Sequence, residues 1–237
     1  MSMPFYISPE QLVKDRADFA RKGIARGRSV IVGSCLDGVV FVADNPSRSL
    51  HKVSEIYDRI AFAAVGKYNE FENLRVAGVR YADMRGYSYA RSDVTARALA
   101  NAYSQSLGAM FTQGPKPFEV ELAVAEVGAA PEQDELYRLT FDGSIADESG
   151  FIAMGGQSEA LDSRLAEEWQ PGLALADAVR LAARLLFKDV AQGTSDSRAD
   201  SLEVALLDRA RPRRTFRRVT GAAVSALLAT PGEVGAP

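Results

Sequence analysis

Cysteine is nearly absent from this sequence: Cys35 stands alone among 237 residues. No internal disulfide can form, which fits a reducing compartment. Histidine is equally scarce. His51 and Cys35 together leave no ligand set for zinc or an iron–sulfur cluster, and no cofactor is expected. They would also be the only Cys–His nucleophilic pair, and nothing in the sequence places them together. They read as a core-strand thiol and a neighbour of Lys52. No apolar run approaches the ~18 residues of a membrane span. The opening Met1–Gln11 does not have the basic-then-apolar pattern of a secretory leader. A soluble, cytoplasmic protein with no membrane partner is expected. An excess of one charge is missing as well, since the net charge is −3 and the pI about 5.4. There is thus no overall pull toward nucleic acid. Arginines 209, 211, 213, 214, 217 and 218 cluster locally, but they straddle a proline-bearing turn. They read as a solvated hairpin face rather than a nucleic-acid surface.

What is present is a good core: 47 % of the residues are hydrophobic. Ser8-Pro9-Glu10-Gln11 reads as a helix start, with Ser8 as cap, Pro9 in the first turn and Gln11 reaching back to the cap amide. Val13, Ala17, Ala20 and Ile24 then recur on one stripe, widened by Leu12 and Phe19, and the helix stops near Gly27. Two β-branched runs, 29–35 and 39–44, flank Asp37-Gly38 and predict a hairpin. Strands follow near 52–56 and 59–66, then helices over 67–85 and 93–112, the second opening at Ser92. Strands near 118–127, 136–141 and 151–154 precede helices over 158–168 and 172–191. A polar loop, 192–200, leads to strands 201–208 and 215–219, a short helix to Leu228 and a tail, 229–237, expected to be flexible. Gly155-Gly156-Gln157 ends a strand before a helix. With no Lys-Ser/Thr after it, it reads as a tight turn rather than an anion cradle. There is no internal linker and no repeat, so residues 1–237 read as one domain. Hairpins alternating with helix pairs suggest an α+β fold, two stacked antiparallel sheets covered by helices.

This order, with Gly27-Arg28-Ser29-Val30 running through Asp37-Gly38 to Ala43-Asp44, resembles the proteasome family. Residues 19–27 are similar to the end of the extra N-terminal helix of its α-type members. Lys52-Val53-Ser54-Glu55-Ile56 with Arg59-Ile60-Ala61-Phe62-Ala63 resembles the family's lysine-bearing strand and the next one. The starts Pro4-Phe5-Tyr6 and Ser8-Pro9-Glu10-Gln11, and the stretch from Asp142-Gly143 to Asp147, resemble actinobacterial α-type members most. The resemblance implies a four-layer αββα sandwich of the N-terminal nucleophile hydrolase type with an extra N-terminal helix. It implies homo-heptameric outer rings stacked on catalytic β subunits. It also implies a pore gate, and pockets between neighbours where the C-terminal tails of an AAA+ ring ATPase or other activator dock to feed unfolded protein substrates.

In catalytic relatives a processed N-terminal Thr supplies hydroxyl and amine, helped by an Asp and a Lys. The resemblance registers Arg28 against that Thr, Asp44 against the Asp and Lys52 against the Lys. Arginine cannot attack a carbonyl, so no catalytic residue is expected and Asp44 reads as a strand-end turn residue. The alternative is a self-processed peptidase in which residues 1–28 are removed to expose Ser29. Against it, a disposable leader needs neither caps nor a clean stripe. By itself Lys52 reads as a solvated strand lysine. The resemblance makes it the pocket lysine for a tail carboxylate, with Gly66 offering close backbone approach and Asp18 orienting Lys52 across the cleft. It makes Met3, Pro4, Phe5, Tyr6, Ile7, Ser8 and Pro9 the gate, where a frayed terminus is the plainer reading.

Overall fold

The computed structural model describes residues 8–187 and 201–229. The hairpin forms as expected: β1 (Val30–Cys35) and β2 (Gly38–Asp44) are joined by Leu36-Asp37, with Cys35 opposite Gly38 and Val30 opposite Ala43. Its strands are apolar on both faces because both faces are covered. Val30, Val32, Val39, Phe41 and Ala43 point to the layer between the sheets, and Ile31, Val40 and Val42 to the helices outside. A second hairpin, β3 (Val53–Tyr57) and β4 (Ile60–Gly66), starts the other sheet.

Two helices cross that second sheet, α2 (Tyr68–Ser88) and α3 (Ala96–Gln113), before β5 (Val120–Glu126), β6 (Glu135–Leu139) and β7 (Ile145–Asp147). The chain returns to the first sheet with β8 (Phe151–Met154). It continues through α4 (Ser158–Glu168) and α5 (Leu175–Leu186) to β9 (Leu202–Asp208), β10 (Phe216–Val219) and α6 (Ala222–Leu228). The sheets run β10-β9-β2-β1-β8 and β3-β4-β5-β6-β7, with every pairing antiparallel. Between them the second sheet presents mainly small side chains, Ala61, Ala63, Ala123 and Ala125, against the larger Val32, Val39 and Phe41 of the first. Outside, α4, α5 and α6 bury the first sheet, and α2 with α3 the second. The result is the expected αββα order of layers.

Three local expectations shift, each for a physical reason. Helix α3 opens at Thr95, not Ser92. The Thr95 hydroxyl accepts from Ala98 N at 3.2 Å, and Glu126 takes Ala96 N at 2.7 Å, while Arg91–Asp93 is a separate 3₁₀ turn. Helix α5 opens at Leu175 rather than 172, because the carboxylate of Asp37 in the first hairpin turn accepts its Leu175 N–H at 2.9 Å. Strand β7 was not anticipated, since three residues at a sheet edge are too short to show alternation. The expected helix end at 188–191, the loop 192–200 and tail residues 230–237 lie outside the described residues.

Candidate functional site

Helix α1 (Pro9–Ala25) starts where expected, with Ser8 Oγ accepting from Gln11 N at 3.2 Å. The Gln11 side chain does not return to the cap amide; it donates to Asp15 Oδ1 at 2.6 Å. Ala20 and Ile24 enter the core between the sheets, with Ala17 packed against it. Arg16 adds a fixing point that the sequence pattern did not reveal. Its guanidinium donates to Phe111 O (2.7 Å), Met110 O (3.0 Å) and Gly114 O (2.9 Å), carbonyls at the end of α3. A cation there also meets the negative end of that helix. The far end of α1 is clasped by the first sheet. Gly156 N, just after β8, donates to Gly27 O at 3.3 Å, and a Cβ on Gly156 would lie 2.3 Å from Ala25 O. So α1 closes one end of the inter-sheet core, held by both sheets and by α3. The expected stripe is only half used, however. Leu12, Val13 and Phe19 remain 50 %, 53 % and 47 % exposed, and Phe19 is met by the Lys116 ammonium over its ring.

Lys52, just ahead of β3, lies beside the residue that follows this clasp. Its Nζ donates to Arg28 O at 2.5 Å, and the Arg28 guanidinium donates through Nη1 to both oxygens of Asp44, at 2.9 and 3.1 Å. Buried Glu203 on β9 holds the Lys52 backbone, accepting from Lys52 N (2.9 Å) and Val53 N (3.2 Å). Glu203 also accepts from Asn45 Nδ2 at 2.7 Å and from the Arg218 guanidinium. Burial pulls the Lys52 ammonium down to about 8, against Asp44 and Glu203, which hold it up; Arg28 lowers it further. An ammonium with three donors and one protein hydrogen bond keeps capacity for a carboxylate.

Gly66 borders the same backbone, since a Cβ on Gly27 would lie 3.2 Å from Gly66 N. Its φ of +107° and the 1.9 Å that would separate a Cβ from Glu119 O demand glycine. Asp18 is not brought to Lys52 within one chain. It sits on the outer side of α1 and pairs with Arg21 at 3.4 Å. Among the gate residues, Met3 to Ile7 lie outside the described residues, while Ser8 and Pro9 are the cap and first turn of α1. Asp44 is a strand-end residue as expected, and it also carries the Arg28 pair. Ser29 is buried, its carbonyl accepting from Asp44 N at 3.1 Å.

The arginine cluster is a solvated face only in part: Arg211, Arg213 and Arg214 are exposed as expected, and the others are not. Arg209 is nearly buried against Asp134 at 2.8 Å and donates to Gly128 O and Cys35 O, tying one sheet to the other. Arg214 pairs with Glu55, Arg217 with Asp208 and Arg218 with Glu203. Gly155-Gly156 does form the expected turn, and a protein carboxylate, Glu121, accepts Gly155 N at 3.3 Å. Cys35 is buried at the turn end of β1, where desolvation pushes its thiol up to about 11. His51 lies at the opposite end of that hairpin, its Nδ1 3.3 Å from Glu203 Oε1 without hydrogen-bond alignment. Among the described residues, no three His, Cys, Asp or Glu side chains converge as a metal site would require. Among them too, no helix is long and apolar enough to cross a membrane.

Comparison with known proteins agrees with this geometry. The family described as proteasome subunit matches residues 24–205. A proteasome subunit alpha from Kineococcus radiotolerans is 64 % identical over 237 residues, covering 98 % of this chain and all of the relative. That from Sanguibacter keddieii is 62 % identical, covering 100 % and 93 %. The counterpart from Xylanimonas cellulosilytica is 65 % identical, covering 95 % of each. With its two five-stranded sheets and its added N-terminal helix, the chain belongs to the proteasome family, among the α-type subunits.

Proposed function

We propose that this chain is the non-catalytic outer-ring subunit of a cytoplasmic 20S proteasome core. Seven copies form the ring on which catalytic β subunits assemble, and the ring gates the entry of unfolded proteins. The observation that carries this reading is the fixation of α1. Removing residues 1–28 would strip Arg16 from the α3 carbonyls and Ala20 and Ile24 from the inter-sheet core. A permanent α1 leaves Ser29 without a free amine, so no N-terminal nucleophile exists. The half-exposed Leu12, Val13 and Phe19 favour a neighbouring copy that covers them in the ring.

In this reading Lys52 and Gly66 belong to the pocket for an activator's C-terminal tail, completed by the adjacent subunit, whose Asp18 would be the one to face Lys52. Residues 3–9 are the gate. Co-expression with the β-type subunit tests the whole: peptidase activity should require both chains, and the α chain should keep its full mass. Loss of 28 residues on maturation would overturn it. Lys52→Ala should abolish activator-stimulated protein degradation while small-peptide cleavage stays within about twofold. Deleting residues 2–9 should raise basal peptide hydrolysis, and no rise removes the gate.

A further inference from the structure

Resting on the docking reading above, we infer that Arg28 is a second carboxylate-binding residue beside Lys52. Asp44 occupies it at rest, and the terminal carboxylate of a docking tail displaces Asp44 from the Arg28 guanidinium. The two cations meet at one residue, because the carbonyl that holds Lys52 Nζ belongs to Arg28 itself. The guanidinium is exposed, at 56 %, while Asp44 beneath it is 16 % exposed. Any anion arriving at Lys52 therefore meets the Arg28 side chain before it meets Asp44.

The resting pair is also a loose one. Both Asp44 oxygens accept from the same nitrogen, Nη1, at 2.9 and 3.1 Å, so the fork of Nε and Nη2 is not engaged side-on. A carboxylate that takes two donors of the fork binds better than one sharing a single donor, and an exposed pair of the resting kind is weak. The exchange conserves charge, one carboxylate for another. The freed Asp44 stays within electrostatic reach of Lys52, whose ammonium it supports. Asp44 is held in place meanwhile by its own backbone, through Asp44 N to Ser29 O. The ligand this selects is an extended peptide with a free α-carboxylate; an amidated terminus cannot compete with Asp44.

The test uses the assembled α/β particle and a fluorescent peptide carrying the last eight residues of the host's own ring ATPase, at pH 6.5, below the value of about 8 for Lys52 in the unsubstituted chain. Asp44→Asn should tighten binding about threefold or more by removing the competitor. Arg28→Ala should weaken it at least fivefold. In the Arg28→Ala background, Asp44→Asn should change nothing, an outcome that a merely structural role for Asp44 would not give. Size exclusion confirms that each variant assembles. If Lys52→Ala leaves binding intact, the docking reading itself fails. If Lys52→Ala abolishes binding but Asp44→Asn gives no gain, or the same gain without Arg28, this inference alone is overturned.

Discussion

Under the proposed function, tail docking through Lys52 should fade as the pH rises from 7 to 9, and the size of the effect follows from the lysine's surroundings. Burial lowers its pKa from the ordinary 10.5 to about 8, with Arg28 lowering it further and Asp44 and Glu203 opposing. His51 lies beside the same Glu203. With that pKa, about nine-tenths of Lys52 is charged at pH 7 and about one-tenth at pH 9. Only the ammonium holds a carboxylate, so affinity for a tail peptide should fall roughly tenfold over those two units. The tail's carboxylate titrates several units lower and contributes nothing to the slope. Folding moves the other way. A lysine whose pKa is depressed in the native state penalises folding below about pH 8, and the penalty lifts between 8 and 10.5. The titration of Lys52 by itself therefore does not weaken folding at pH 9. Fluorescence anisotropy of a tail peptide on the assembled particle measures the slope, with Lys52→Arg as control, because guanidinium stays charged throughout. Flat affinity from pH 7 to 9.5, or the same slope with arginine, would refute the reasoning.

Ile24→Ala should lower stability by about 2–4 kcal/mol in a denaturant titration, since it empties a buried position where α1 meets both sheets. Gly156→Ala should cost about 1–3 kcal/mol by the same measurement, because its Cβ would lie 2.3 Å from the Ala25 carbonyl, a backbone atom that cannot swing aside. Asp134→Ala leaves the nearly buried Arg209 unpaired and should cost about 3–5 kcal/mol. Arg214→Ala, at an exposed pair with Glu55, should cost at most about 1 kcal/mol; equal losses at the two sites would contradict the burial argument.

The layers of this fold were legible because both signals that set them are local. Asp37-Gly38 between β-branched runs specifies a hairpin, and the Ser8-Pro9 start with the Ala20–Ile24 spacing specifies α1 and its buried side. Lys52 drew attention because lysine is rare here, and Gly66 because the family resemblance aligned it. What could not be read were partners far apart in sequence. Glu203 reaches Lys52 across 151 positions, Arg16 reaches the end of α3 across 94 to 98, and Arg209 reaches Asp134 across 75. A charged residue in a run of arginines looks solvated until the opposite sheet supplies its carboxylate. The half-used stripe of α1 misled for a related reason. Periodicity reports that a face is apolar, and Leu12, Val13 and Phe19 show that it does not report whether the rest of the chain covers that face.

The Arg28 backbone explains how one small addition redirects an entire site. A nucleophile of the processed type needs a free amine at the start of β1, with a lysine and an aspartate beside it. Here a peptide bond joins that position to α1, so the amine is gone and a carbonyl sits beside Lys52 Nζ instead. The side chain at the same residue is a guanidinium, which takes Asp44. The lysine and the aspartate both meet residue 28, one at its carbonyl and the other at its guanidinium. Burial is the largest cause of the depressed Lys52 pKa, and the guanidinium of Arg28 adds to it. A partly desolvated ammonium with spare donors is useful to a proton-transfer site and equally useful to a carboxylate-binding one. Under the proposed function, the helix that removes the first use is the same element that opens the second, and the charge already built into the end of the sandwich is what makes that change possible.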